Sequence, residues 1–348
     1  MRPTRTFLSI TAALSLTLLA ACGNTDAGNE TANAKSGDQS VITYNTPEKW
    51  GNYGEVLKVF TDETGIKAPN DPKNSGQTLA ALQAEKDAPV ADVAYVGIAF
   101  ANQLAEAELI EASEPKNVDQ IPDDLKDADG RWYTVHTGTV AFLVNEDHLD
   151  GAPVPKSWAD LLKPEYKGKV GYLDPTQAAV GYSVATAANE ALGGSLDDWG
   201  PGLDYLKKLK ANGAVTPAQT ATAKVSQGEI PILIDSDFNG YQLRDEGSNV
   251  TVVIPEEGSL QIPYVVAKVK GAPHSENADK LLDFYYSEKG QSLFARGYMR
   301  PVVGDIPEDM ADKMNPSADY ERAGTVDYAK QGEVQADFIE QFKAEVGQ

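Results

Sequence analysis

WYTVHTGTVAFLVN, Trp132 to Asn145, decides how this chain is organised. The run is rich in β-branched and aromatic residues on both sides of Gly138, and it is too long for one typical strand. A strand that leaves one lobe and enters another reads this way. A second long β-rich run, NVTVVIPEEGSLQIPYVVAKVKG (Asn249–Gly271), is able to cross back.

Before the first run, strand and helix patterns alternate. VITYNT at Val41 is β-like. Tyr53, Val56, Leu57 and Phe60 then fall at helical spacing, and Gly65 supplies a stop. GQTLAALQAEK is a second helix pattern with Asn74 and Ser75 just ahead as caps. ADVAYVG reads as strand and AFANQLAEAELIE as helix. Between the two long runs come a strand (KVGYL), a turn and a helix, then WGPGLDYLKKLKANG, a helix stopped by Gly213. After them stand the amphipathic NADKLLDFYYSEKGQSLFARG and a charged helical tail from Asp305. Alternation of this kind argues for α/β lobes with mainly parallel sheets. The expected architecture is therefore two α/β lobes, residues 41–136 with 265–348 and residues 137–264. Two β crossovers join them as a hinge, and a cleft lies between.

The first residues carry a different signal. Arg2 and Arg5 precede an apolar run, Phe7 to Leu19, that falls short of the ~20 residues a membrane-spanning helix needs. It reads as an export signal over residues 1–21. LAAC ends it at Cys22, the chain's one cysteine, which rules out an internal disulfide. LAAC resembles the lipobox of bacterial lipoproteins, in which the cysteine becomes the lipidated N-terminus. Residues 22–40 are then a polar tether without aromatic residues. The expected location is the cell envelope, lipid-anchored in the periplasm or on the outer face of the cell membrane.

Composition narrows the function. The 348 residues carry a net charge of −22, and nucleic acid is a poor partner for such a surface. His136, His148 and His274, the three histidines, fall in no metal-ligand spacing. No GxSxG, P-loop or GxGxxG is present. No catalytic residue, metal ligand or cofactor is expected, and the expected class is a binding module rather than an enzyme.

The chain resembles the type II periplasmic solute-binding proteins of ABC importers, the group of ferric-iron, polyamine, thiamine and phosphonate binders. The resemblance rests on YNTPEKWGNYGEVLKVFTDETGI, SWADLLKPEYKGKVGYLDPTQAAVGY, GEIPILI and VKGAPHSENADKLLDFYYSEKGQSLFARGYMRPV. It implies a two-lobed type II fold, a small-molecule ligand held in the interlobe cleft, delivery to permease subunits, and a monomer.

Ligands of open α/β sheets sit at the carboxyl ends of strands, near helix starts. That selects Asn45, Thr46, Glu48 and Trp50, then Asn74, Ser75 and Gly76, then Gly97 to Phe100. In the other lobe it selects Thr176, Gln177, Ala178 and Ala179, and the segment Asp235 to Asn239. Each also has a plainer role open to it: a helix cap for Asn74 and Ser75, core for Trp50, a turn for the Asp174–Pro175 pair. In ferric-iron binders of the group, the segment after the GE(V/I) strand carries adjacent tyrosines. Here DSDFNGY puts Asp237 and Phe238 in that place and leaves Tyr241 alone. A carboxylate beside an aromatic ring suits an ammonium group, and helix starts suit an anion. The expected ligand is a small zwitterion of the 2-aminoethylphosphonate type, its amine near Asp235 or Asp237 and its anion near Ser75 and residues 176–179. Ferric iron is an alternative. A polyamine is another, with Glu48 and Glu257 as further carboxylates. An envelope hydrolase or a ligand sensor is the alternative of another class.

Overall fold

The structure, a computed structural model, describes residues 39–217 and 221–347, so the export signal and Cys22 lie outside the described residues. The first part alternates as its periodicity predicts. It runs β1 (Thr43–Tyr44), α1 (Tyr53–Thr64), β2 (Asn70–Asp71), α2 (Ser75–Ala84), β3 (Val93–Gly97), α3 (Ile98–Glu106) and β4 (Ile110–Glu111). α1 buries Tyr53, Val56, Leu57 and Phe60, and it ends at Gly65, whose φ of 72° is the left-handed stop that glycine takes without strain.

The long strand β5 (Tyr133–Asn145) follows, and then β6 (Val170–Tyr172), α4 (Ala179–Ala191), α5 (Gly200–Ala211), α6 (Thr222–Ser226), β7 (Ile232–Ser236), α7 (Asp237–Asp245), β8 (Val250–Val253) and β9 (Ser259–Val269). The chain closes with α8 (Ser275–Tyr285), α9 (Glu288–Arg296), β10 (Arg300–Pro301), α10 (Glu308–Ala311), α11 (Ser317–Tyr320), β11 (Ala323–Gly324), α12 (Tyr328–Glu333) and α13 (Gln335–Glu345).

The strands run in the order β2-β1-β3-β9-β5-β7-β6. β1 pairs in parallel with β2 and β3, and β6 with β7, but β9 and β5 are antiparallel to each other and to their other main neighbours. The sheet is therefore mixed, not mainly parallel. The reason lies in the two crossovers. β5 carries the chain out of the first group of strands and β9 brings it back, so they must run in opposite directions.

β5 does change partners along its length. Tyr133 to Thr139 pair with β9, and Arg300–Pro301 of β10 pair with Thr137 and His136. Val140 to Asn145 pair with β7 and β8. All of β5 is buried, so it reads as a continuous β-rich run and not as an alternation. Gly138 stands just before the change. A Cβ there would lie 2.8 Å from the buried Phe238 ring and 3.5 Å from the Ser236 Cβ.

The tail touches both groups of strands and helices. α12 packs on α3, while Tyr182 of α4 donates to the Gln331 carbonyl at 2.8 Å. The Phe338 ring of α13 packs, tilted, 4.5 Å from that of Trp199 and 5.1 Å from that of Tyr182. The tail expected with the first lobe, within residues 265–348, thus also packs on elements between the two crossovers. An aromatic cluster on α4 and at the start of α5 draws it across.

A side chain at residue 138 has nowhere to go, because Phe238 is itself packed on Trp50 and Tyr264. Gly138→Val is expected to destabilise the fold by ~1–3 kcal/mol. Urea denaturation of the two proteins checks this; equal midpoints would show that Phe238 yields freely.

Candidate functional site

A cleft of about 300 Å³ opens where the two groups of strands meet. From the first group come Asn45 after β1, the start of α2 and the end of β3. From the second come the start of α4 and one face of α7. Both parallel strand ends and both helix starts thus reach the cleft, as the strand-end rule requires.

Three aromatic rings from three segments form part of its wall. Trp50, Tyr95 of β3 and Tyr264 of β9 all line it. Trp50 donates its Nε1–H to the Tyr95 hydroxyl at 2.8 Å, and Tyr95 stacks on Tyr264 at 5.6 Å. Behind them His136, wholly buried, faces the Tyr95 hydroxyl at 3.3 Å; burial holds its pKa well below the usual value, so it is neutral. Burial likewise pushes the Tyr95 and Tyr264 phenols far above the ordinary range.

The helix starts differ in how their N–H groups are used. At α2, Asn74 and Gln77 form a reciprocal capping box. Ser75 Oγ accepts from Gly97 N–H at 3.2 Å. At α4 no side chain caps the helix. Among the described residues nothing accepts from the N–H groups of Ala179, Val180 or Gly181, and Ala179 and Val180 line the cleft. Unspent donors at the positive end of a 13-residue helix favour an anion.

α7 turns a polar stripe to the cleft. Asn239, Gln242, Leu243 and Glu246 line it, at the i, i+3, i+4, i+7 spacing of one helical face. Glu246 reaches Lys49 at 3.3 Å, an exposed pair.

The chain matches the bacterial extracellular solute-binding proteins over residues 88–331. It is 31% identical, over 310 residues, to a Salmonella typhimurium protein named as a candidate 2-aminoethylphosphonate-binding periplasmic protein; the match covers 84% of this chain and 86% of that one. The chain belongs to the bacterial extracellular solute-binding protein family. Its fold is that of solved periplasmic binding proteins. AfuA of Actinobacillus pleuropneumoniae, with fructose-6-phosphate bound, superposes with a TM-score of 0.75 at 23% identity, covering 88% of this chain and 98% of that one. Iron-bound HitA of Pseudomonas aeruginosa does so with 0.71 at 24% identity, covering 89% and 99%. The likeness to type II solute-binding proteins read from the sequence therefore holds, with the two-lobed fold it implies.

In this solute-binding protein the residues expected at the ligand fall into two sets. Asn45, Trp50, Asn74, Ser75, Ala178 and Ala179 line the cleft. The others are occupied elsewhere. Thr46 is buried and bonded to Thr43 and Asn70, tying β1 to β2. Glu48 is exposed, and its carbonyl accepts from Gly54 N–H. Gly76 donates its N–H to the Gln177 carbonyl at 3.0 Å, joining the starts of α2 and α4. The side chains of Thr176 and Gln177 are held by Asp174. Glu257 accepts from Trp158 and Ala159 N–H groups and caps a turn.

The two aspartates have separate roles, neither of them at the cleft wall. Asp237 is not a strand residue but the first residue of α7. It is wholly buried and accepts from Arg300 at 2.8 Å, from Thr139 N–H at 2.8 Å and from the Tyr320 hydroxyl at 3.1 Å. An internal cation already holds it, so it has no room for a ligand ammonium. Phe238 packs edge-on to Trp50 behind the wall. Asp235 is also wholly buried. Its Oδ1 accepts from Ser236 N–H at 2.6 Å and from Asn239 Nδ2 at 3.2 Å, and its Oδ2 has no partner among the described residues. Burial pushes its pKa up to about 7, against the two hydrogen bonds.

Gly97 and Asn239, from the segments 97–100 and 235–239, also line the cleft, whereas sequence reasoning passed over Tyr95, Tyr264, Lys49, Val180 and the rest of the polar face of α7. The α7 face was legible as a helical spacing, but only once the helix is known to begin at Asp237.

The carboxyl of Asp235 is raised from 3.8 to about 7 on folding, so stability is full below about pH 4 and is lost as pH rises through 7. Asp235→Asn should lie close to the wild type at about pH 4 and exceed it at about pH 8, by at most about 4 kcal/mol. Denaturant midpoints at the two pH values check this; a gap that does not grow with pH would show that Asp235 is solvated. Arg300→Met, which leaves Asp237 buried without its cation, should lower stability by ~3–5 kcal/mol, and an unchanged midpoint would mean that water reaches Asp237.

Proposed function

We propose that this protein is the extracytoplasmic solute-binding component of an ABC importer and captures a small zwitterion with an amine and an anionic group, of the 2-aminoethylphosphonate type. The observation that carries the reading is the pairing, in one cleft, of the unspent N–H groups of α4 with a polar face of α7 that is backed by the buried Asp235 carboxyl. The first suits a phosphonate, the second an ammonium. The name of the Salmonella relative supports the same ligand.

The size of the cleft also supports it. About 300 Å³ is at the small end for ligand pockets. A polyamine would need carboxylates along its length, yet Glu48 and Glu257 are outside the cleft and Glu246 is paired with Lys49. Ferric iron would draw on phenolates, yet burial holds the Tyr95 and Tyr264 phenols protonated. Tyr241 is bonded to Tyr320 and to Asn315 N–H away from the cleft.

In this reading Cys22 is lipidated and residues 22–40 tether the domain to the periplasmic or outer face of a membrane. The protein works as a monomer that hands its ligand to permease subunits. The lobes 41–136 with 265 onward, and 137–264, close about β5 and the β8–β9 segment, with the tail lying across both.

A thermal-shift screen of the purified protein against 2-aminoethylphosphonate, ethylphosphonate, putrescine, spermidine, amino acids and ferric citrate tests this. Ligand at ~100 times its Kd adds about 2.7 kcal/mol, a shift that is easily read. A shift with 2-aminoethylphosphonate and a smaller one with ethylphosphonate is expected. A shift with ferric citrate alone, or with polyamines alone, overturns the ligand assignment.

A further inference from the structure

The relation between Asp235 and Asn239 goes one step further, and rests on the reading of the cleft as a zwitterion site. Asp235 cannot touch a ligand, being wholly buried and absent from the cleft wall. Asn239, four residues on, does line the cleft. It is largely buried and hydrogen-bonded to Asp235 Oδ1. A carboxylate only accepts, so the Asn239 group facing it is the NH₂. That leaves the Asn239 Oδ1 as the acceptor on the other side of a planar amide.

We propose that Asn239 is the ligand's ammonium acceptor and that Asp235 is its positioning residue, holding the amide so that its oxygen faces the cleft and lending it negative charge. The arrangement explains why a carboxyl with an unpartnered Oδ2 is kept in the interior: in the absence of ligand its charge is paired with no cation among the described residues. It also explains the spacing in DSDFN. Asp235 stands near the end of β7 and Asn239 in the first turn of α7, so the i, i+4 step brings their side chains within hydrogen-bond reach while Asn239 alone meets the cleft.

The same geometry makes recognition depend on proton occupancy. Protonation removes the charge: the unpartnered Oδ2 takes the proton while Oδ1 keeps the Asn239 NH₂, so the Asn239 oxygen loses the negative charge behind it and becomes a weaker ammonium acceptor. Burial poises this change near neutral pH. The surrounding ionisable groups do not duplicate it. Tyr264 of β9, bonded to Ser236, is held protonated by burial. Asp237 of α7 is held by Arg300 of β10 and Tyr320 of α11. No charged side chain of β5, β6 or α4 is among the influences on Asp235.

The experiment measures Kd for 2-aminoethylphosphonate and for ethylphosphonate, which lacks only the amine, at about pH 6 and pH 8, in the wild type, Asp235→Asn and Asn239→Leu. Ligand ionisation is common to all three proteins and cancels between them. The pH dependence of the amine preference in Asp235→Asn reports ligand ionisation alone, and relative to it the wild-type preference should fall roughly ten-fold from pH 8 to pH 6, as a carboxyl with pKa near 7 gains its proton. At pH 8 the preference in Asp235→Asn should be lower than in the wild type. In Asn239→Leu it should be lost. A preference that changes with pH equally in the wild type and in Asp235→Asn, or an amine preference that survives in Asn239→Leu, overturns the proposal. A second readout needs no ligand. The Asn239 side-chain NH₂ resonances of the empty protein should move between pH 6 and pH 8 in the wild type and stay fixed in Asp235→Asn; resonances fixed in both overturn the coupling. If they move as expected but neither phosphonate binds, the ligand reading fails while the Asp235–Asn239 coupling stands.

Discussion

A carboxylate buried without water needs a cation and several donors, and the structure is arranged around meeting that need at Asp237. Its partners come from distant parts of the chain. Thr139 N–H is supplied by β5 where that strand changes partners, Arg300 by β10, and the Tyr320 hydroxyl by the tail. Arg300 also lies 4.1 Å over the Tyr320 ring. One side chain thus ties together the crossing strand, the start of α7 and two returning segments. The position of α7 follows from this, and with it the polar face that α7 turns to the cleft.

The aromatic wall is fixed from behind in the same manner. Phe238 follows Asp237 directly, sits against Gly138 and meets Trp50 and Tyr264 edge-on. Tyr95 is held by the Trp50 N–H and faces neutral His136. The wall of the cleft is therefore an extension of the core, and its shape is set before any ligand arrives, which lowers the ordering cost of binding. Asp235 runs against this economy. Its ionisation weakens the empty fold, an expense that a core position tolerates where a functional site requires it.

Much of the fold was legible because it rests on local patterns. The spacing of Tyr53, Val56, Leu57 and Phe60 marks α1, the cap candidate Asn74 ahead of GQTLAALQAEK marks α2, and the unbroken β character of residues 132–145 marks the crossing. The mixed direction of the sheet was implied by having two crossings, yet alternation of strand and helix pointed to parallel strands. At the site, strand ends and helix starts pointed to part of the wall, among it Asn45, Ser75, Gly97 and Ala179. The role of Asp237 was not legible, because the partners that hold it are not local. Arg300 is 63 residues from Asp237 and Tyr320 is 83, and no spacing rule connects them. Tyr95 and Tyr264 were hidden for a related reason: within buried strands, a residue at a cleft and a residue in the core have the same pattern.

The starts of α2 and α4 show how the two halves of the cleft come together. Gly76 N–H meets the Gln177 carbonyl, and a Cβ on Gly76 would lie 2.8 Å from that oxygen. A Cβ on Gly97 would lie 2.4 Å from the Ala179 Cβ. Both contacts join residues of the first group of strands to residues of the second. Both depend on the absence of a side chain, and both border the free N–H groups of α4. An anion bound there would therefore sit beside the point of closest approach, where its charge faces two helix dipoles instead of one. Backbone contact needs no long side chains to be ordered, so closing the halves forfeits little conformational entropy. The same contacts set a limit. A cleft whose two walls already touch leaves less room beside the free N–H groups of α4 for a bulky group than for a compact one.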